Sequence, residues 1–283
     1  MTEKRRLKIA VVSDIHLGTY GCRAKEVLHY LKSIEPETLI LNGDIIDIWQ
    51  FSKKYFPKSH MKVVRYILKL AGRGTQIYYI TGNHDEMLRK FADMDFGNIR
   101  LVNKLTLDVE GHKTCFFHGD VFDFSIQHAK WLAKLGGTCY DALIILNTFI
   151  NYISMKFGGK RVSLSKKIKM SVKQALSFIN DFEEACANYA INEQCKTVVC
   201  GHIHQPSHRE ISTPDGSVLY LNSGDWVESL TSLEYNKGKW SVYNYMDDLA
   251  VKTIEHEVEE EAGVHDLLME FNINPLTRLA KSA

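Results

Sequence analysis

Six short runs, 8–13, 38–42, 76–81, 113–118, 196–200 and 218–222, are rich in Val, Ile, Leu, Tyr and Phe and are apolar almost without interruption. A strand with one wet face alternates polar and apolar side chains, so runs of this kind predict strands covered on both faces. Between them lie stretches with helical spacing, among them 23–34, closed by Pro36, and 59–71, closed by Gly72 and Gly74. The alternation predicts an α/β plan around a sandwiched sheet. Two later runs, 229–235 and 239–245, alternate in the manner of antiparallel strands that complete the sheet.

The strand signal is lost from 121 to 195, where helical patterns cover 125–135, 140–157 and 163–192. This segment reads as an insertion lying over the strand ends. The expected organisation is a core of residues 1–120 and 196–246, a helical cap insertion at 121–195 and a C-terminal tail at 247–283.

Composition narrows the function classes. With 35 Lys+Arg against 34 Asp+Glu the formal net charge is +1, which removes the electrostatic case for nucleic acid as a partner. The six cysteines contain no C-x-x-C pair and are expected as reduced thiols. The apolar stretch 142–157 is interrupted by Asn147 and Asn151 and falls short of the roughly 20 residues of a membrane span. The first apolar run is broken by Lys8 and stops at Asp14, too short for a secretory signal core, so a cytoplasmic protein is expected.

In open α/β sheets the functional groups gather beyond the carboxyl ends of the strands. Here those ends carry Asp14-Ile15-His16, Gly43-Asp44-Ile45-Ile46-Asp47, Gly82-Asn83-His84-Asp85, His118-Gly119-Asp120, Gly201-His202-Ile203-His204 and Gly224-Asp225-Trp226. Two residues apart, Asp14 and His16 can offer a carboxylate oxygen and an imidazole nitrogen to one cation, and His202 with His204 repeats the spacing. A carboxylate, imidazole and amide set without thiolate suits Mn, Fe, Zn or Mg. The seven plausible ligands, Asp14, His16, Asp44, Asn83, His118, His202 and His204, are too many for one catalytic ion with an open position and enough for two. Two ions at a spacing of roughly 3.5–4 Å favour displacement at phosphorus. The glycines beside these ligands, Gly43, Gly82, Gly119 and Gly201, fit turns where a ligand must come close.

In this order, D-x-H, G-D-x-x-D, G-N-H-D, H and G-H-x-H resemble the calcineurin-like metallophosphoesterase family, over Asp14 to His204. The resemblance implies a four-layer αββα sandwich. It also implies that Asp14, His16 and His204 hold one ion and Asn83, His118 and His202 the other, with Asp44 shared. His84 would act on the phosphoryl or leaving group, held by Asp47. With the helical insertion and Gly224-Asp225-Trp226, the chain is similar to the UDP-2,3-diacylglucosamine diphosphatase group, whose reaction releases UMP and lipid X in lipid A synthesis at the inner membrane, usually with Mn. That implies a lipid-linked nucleotide as partner and Asn83, His84, His202 and Lys169 as substrate contacts. The apolar 142–157 stretch beside the basic 156–173 run reads as a cap segment contacting the inner face of the membrane or, alternatively, as a buried cap helix followed by a solvated helix face. The group reads G-N-R-D where this chain has His84. Two alternatives follow: the same dimetal site acting on another phosphodiester, nucleotide or phosphomonoester, or a non-catalytic scaffold of the same fold.

Overall fold

The computed structural model describes residues 4–49, 55–122 and 165–248. The first sheet is built from β1 (Arg5–Val12), β2 (Ile34–Asn42), β3 (Gln76–Ile80), β4 (Asp95–Phe96), β5 (Ile99–Val102), β11 (Thr231–Asn236) and β12 (Lys239–Asn244), in the order β12-β11-β1-β2-β3-β5-β4. The second contains β6 (Leu105–Val109), β7 (His112–Phe116), β8 (Thr197–Cys200), β9 (Ser207–Thr213) and β10 (Gly216–Asn222), in the order β6-β7-β8-β10-β9. Each sheet has a parallel centre and antiparallel edges: β1, β2, β3 and β5 are parallel in one, β7, β8 and β10 in the other. Both runs read as closing strands pair antiparallel, β11 with β1 and with β12.

The continuous apolar runs are explained by the two-residue strand period, which sends neighbours to opposite faces. In β1, Ile9 and Val11 join a core between the sheets while Ala10 and Val12 face outward, into a core shared with α1 (Ala24–Ser33) and α2 (Lys58–Gly72). In β7 and β8, Phe116 and Val199 enter the inter-sheet core, and Cys115, Val198 and Cys200 face α3 (Ser165–Asn192). The helices meet these faces along single stripes: Ala24, Val27, Leu28 and Leu31 in α1, Val63, Ile67 and Leu70 in α2, and Phe182, Cys186 and Ala190 in α3. The layers therefore run helix, sheet, sheet, helix, as the resemblance implied.

Two local details differ from expectation or refine it. Pro36 does not close α1; that helix ends at Ser33 and Pro36 lies within β2, opposite Leu7 of β1. The end of α2 does use its glycine: Gly74, at φ +101°, donates to Ala71 O while Thr75 donates to Leu70 O, the paired bonds of a Schellman cap.

The C-terminal half of α3 falls in the span read from sequence as insertion, yet Phe182, Cys186, Ala187 and Ala190 are buried in the outer core of the second sheet. Residues 123–164, the body of the expected insertion, and those from 249 onward lie outside the described residues. Among the described residues five cysteines are free thiols, four of them buried.

Candidate metal centre and active site

Every sequence-predicted metal ligand lies on a loop that leaves the carboxyl end of a parallel strand. Asp14 and His16 follow β1, Asp44 and Asp47 follow β2, Asn83 and His84 follow β3, His118 follows β7, and His202 and His204 follow β8. Five of them have left-handed backbone: Asp14 (φ 50°), His16 (54°), Asp44 (54°), His202 (70°) and His204 (55°). Such non-glycine conformations cost of order 1–3 kcal/mol each and persist only where surrounding bonds hold them. Here the Asp14 and His16 amides donate to Gly43 O and Asp44 O, at 3.0 and 2.9 Å, and the His202 amide donates to Asp14 Oδ2 at 3.1 Å. Asp and His tolerate this region better than branched residues, so the strain is invisible in the residue types alone.

The side chains converge in two groups, with the donor atoms in each within 4.8 Å of one another: Asp14, His16 and His204, and Asp44, His118 and His202. Asp44 Oδ2 stands between them, 3.3 Å from His118 Nε2 and 4.0 Å from His16 Nε2. Its other oxygen accepts the His84 amide at 2.8 Å, which fixes the carboxylate plane. The orphaned atoms point to a cation. Asp14 Oδ1, His16 Nε2, Asn83 Oδ1 and His118 Nε2 are buried without a hydrogen-bond partner, an arrangement that costs free energy unless something else satisfies it. The oxygen and nitrogen donor set fits two divalent ions, and Asn83, which the same loop as His84 carries, adds the amide oxygen.

Backbone must come very close for this to work. A Cβ on Gly82 would fall 2.2 Å from Asp44 Oδ1, one on Gly43 2.3 Å from His118 Nδ1, and one on Gly201 2.7 Å from Asp14 Oδ2.

His84 lies beside this centre. Its Nδ1 is 2.8 Å from Asp47 Oδ2, its Nε2 is 4.0 Å from Asp44 Oδ2, and its ring lies 4.8 Å from that of Trp49, which is 57% exposed. Asp47 Oδ2 is also 3.4 Å from His16 Nδ1, so one carboxylate serves both imidazoles. A third group within ligand distance, His16, Asp44 and His84, is allowed by the geometry. Lys169 lies in α3 on a stretch whose side chains are outside the described part.

Charge organises the site. Burial pulls the His118 imidazole down, but Asp44 and Asp14 overcome it and push it up to about 10. His204 is pushed up to about 9 in the same way, against burial, chiefly by Asp14 and then Asp225. His84 is raised too, its burial offset by Asp47 and Asp44. Burial would raise Asp44, but His118, His16 and His84 hold it below the usual carboxylate range.

In metal-free protein His118 and His204 keep their protons below about pH 9, and an ion needs the bare nitrogens. Adding Mn at pH 7 to metal-free protein should release about two protons, one per ion, and the affinity for each ion should climb by up to about tenfold per pH unit until its histidine titrates. Proton release measured in weak buffer checks this; none at pH 7 would mean that the ions displace no protons from His118 and His204.

Sequence reasoning passed over Asp85, although it stands in the quoted Gly82-Asn83-His84-Asp85. Fully buried, it accepts from Tyr79 Oη (2.6 Å) and the Ile45 amide (3.0 Å) on one oxygen and from the Gly82 amide (2.6 Å) on the other. It joins the loop carrying Asp44 to the loop carrying Asn83. The histidines outside the motifs that the structure describes are structural or exposed. His60 is buried and its Nδ1 accepts the Gly18 amide, His29 meets Tyr245 Oη at 3.1 Å, and His112 and His208 are exposed.

The chain is similar to known proteins over most of its length. The calcineurin-like phosphoesterase family model matches residues 7–206. A UDP-2,3-diacylglucosamine hydrolase of Aliivibrio fischeri (strain MJ11) is 23% identical over 243 residues, 84% of this chain and 98% of that protein. One from Aeromonas salmonicida (strain A449) is 24% identical over 236 residues, 81% of this chain and 89% of that protein. A solved dimetal phosphatase from Danio rerio aligns over 83% of this chain and 95% of that one, at 10% identity and a TM-score of 0.40.

Proposed function

The chain belongs to the calcineurin-like phosphoesterase family, hydrolases of phosphoester or pyrophosphate bonds, and from that premise we propose that it cleaves UDP-2,3-diacylglucosamine to UMP and lipid X. The observation that carries the reaction class is the position of Asp44 Oδ2 between the two ligand groups. The relatives that share nearly their whole length with this chain support the substrate. Two divalent ions, Mn first, would be held by Asp14, His16 and His204 and by Asn83, His118 and His202 with Asp44 shared, and would supply an activated water and neutralise phosphate charge.

The chain's own groups do the rest. His84, held at Nδ1 by Asp47, presents Nε2 as a hydrogen-bond donor to a phosphoryl oxygen or proton donor to the departing phosphate. Trp49 lies against that ring, with 4.8 Å between the ring centres. The helical insertion at 121–195 would act as the cap that selects the acyl-bearing half, and its basic run including Lys169 would bind the second phosphate. Among the described residues no helix is long and apolar enough to cross a membrane. Contact with the inner membrane face would be made through the apolar and basic segments of the cap.

A second reading keeps the site and changes the substrate to another phosphodiester or nucleotide. It is favoured by the His84–Asp47 pair, since the diphosphatase group carries arginine at the matching place. Incubation of the Mn-loaded protein with UDP-2,3-diacylglucosamine and detection of UMP separates the two. UMP release is expected. Its absence, with hydrolysis of bis-p-nitrophenyl phosphate intact, would establish the second reading.

A further inference from the structure

The Gly224-Asp225-Trp226 loop follows β10 and has no part in the chemistry derived so far. Its three residues nonetheless point at one ligand group. Trp226 is fully buried, with its ring 5.3 Å from that of Tyr30 and 6.1 Å from that of Tyr245, so the loop is anchored in the core beneath the first sheet. From that anchor the Trp226 amide donates to Asp14 O at 3.1 Å. The Gly224 carbonyl accepts from Ser13 Oγ at 3.0 Å, next to Asp14. Gly224 stands at φ +70°, and a Cβ there would fall 2.0 Å from Thr231 Oγ1.

Asp225 is 1% exposed. Its Oδ1 accepts the amides of Val227, Glu228 and Ser229, at 2.7, 2.5 and 3.3 Å. Its Oδ2 accepts Ser229 Oγ at 3.1 Å and faces His204 Nδ1 at 3.7 Å. On the opposite edge of that ring, Nε2 is 3.3 Å from Asp14 Oδ1. A fixed carboxylate on the Nδ1 side favours the tautomer with its proton there, leaving the Nε2 lone pair for an ion. The other ligand group is supported elsewhere, because His118 Nδ1 donates to Asn42 O, at the end of β2, at 2.9 Å.

We propose that the Gly224-Asp225-Trp226 loop is the positioning device of one ion site only, orienting Asp14 and His204 of the Asp14–His16–His204 group, with Asp225 as the positioning residue. The inference rests on the dimetal reading, and its test separates the two. Asp225→Asn keeps an oxygen for the three amides and replaces the oxygen that faces His204 by an amide nitrogen. Mn binding to metal-free protein is followed by calorimetry and by metal content after gel filtration, alongside thermal melting of the metal-free forms.

The wild type should take two ions per chain. Asp225→Asn should weaken one of them by about 10- to 100-fold, the range for outer partners of a ligating histidine, with the second ion and the metal-free melting temperature unchanged. Ser229→Ala, which loosens Oδ2 without removing it, should weaken the same ion by less, and it decides the matter if Asp225→Asn does not fold. Two ions bound at wild-type affinity in the variants would overturn the proposal. So would equal weakening of both ions or a fall in metal-free melting that accounts for the loss. Fewer than two ions in the wild type would overturn the dimetal reading instead.

Discussion

Asp44→Ala is expected to reduce hydrolysis of bis-p-nitrophenyl phosphate by roughly a thousandfold or more, about 4 kcal/mol of transition-state stabilisation. No other described residue stands between the two ligand groups as Asp44 does, with one oxygen at 3.3 Å from His118 Nε2 and 4.0 Å from His16 Nε2. Its loss weakens both ions together, so metal content after gel filtration should fall below that of any variant touching one group. The same change removes the acceptor of the His84 amide and the negative charge that keeps His118 protonated. Asp44→Asn separates these effects: it can still accept the His84 amide but is neutral. Near-complete loss of activity in Asp44→Asn, with metal-free melting retained, would trace the defect to charge. Full hydrolysis by Asp44→Ala would end the two-ion account.

The second large effect is expected from His84→Ala, which should lower kcat by about 10²- to 10⁴-fold, the usual range for a positioned proton donor, while both ions stay bound. The assignment is exposed to a direct check because the geometry also permits His84 to ligate, in the group with His16 and Asp44. A loss of metal that parallels the loss of kcat would make it a ligand. Asp47→Asn should behave differently from His84→Ala. Asp47 Oδ2 holds His84 at 2.8 Å and also lies 3.4 Å from His16 Nδ1, so its substitution should lower kcat and weaken the ion bound through His16.

The fold was readable where strands are covered on both faces. β1, β2, β3, β7, β8 and β10 carry unbroken apolar runs because the two-residue period divides each run between two cores. β4, β5, β6 and β9 were not. β9 exposes His208, Arg209 and Glu210, β6 exposes Thr106 and Asp108, and β4 is two residues long, so none of these makes a continuous apolar signal. Pro36 misled because proline reads as a stop, whereas its fixed φ suits an extended residue at the start of β2 as well.

The site was legible as an ordered set of residue types, and the structure gathers all seven expected ligand residues on strand-end loops. The left-handed backbone at Asp14, His16, Asp44, His202 and His204 could not be read, since Asp and His carry no glycine-like mark. Nor could the work of Asp85 and Asp225. Each acts through backbone amides brought to it by other loops, a relation that spacing along the chain does not encode.

The seam between the two sheets has a consequence for the integrity of the centre. Asp14, His16, Asp44, Asn83 and His84 descend from one sheet, and His118, His202 and His204 from the other. Neither half of the sandwich owns a complete coordination shell. Among the described strands the chain crosses back only through the segment after β10, which returns β11 and β12 to the first sheet. Bound ions would therefore act as rivets across the seam, and a fragment holding either sheet alone, however well folded, would have no cleft in which to hydrolyse anything.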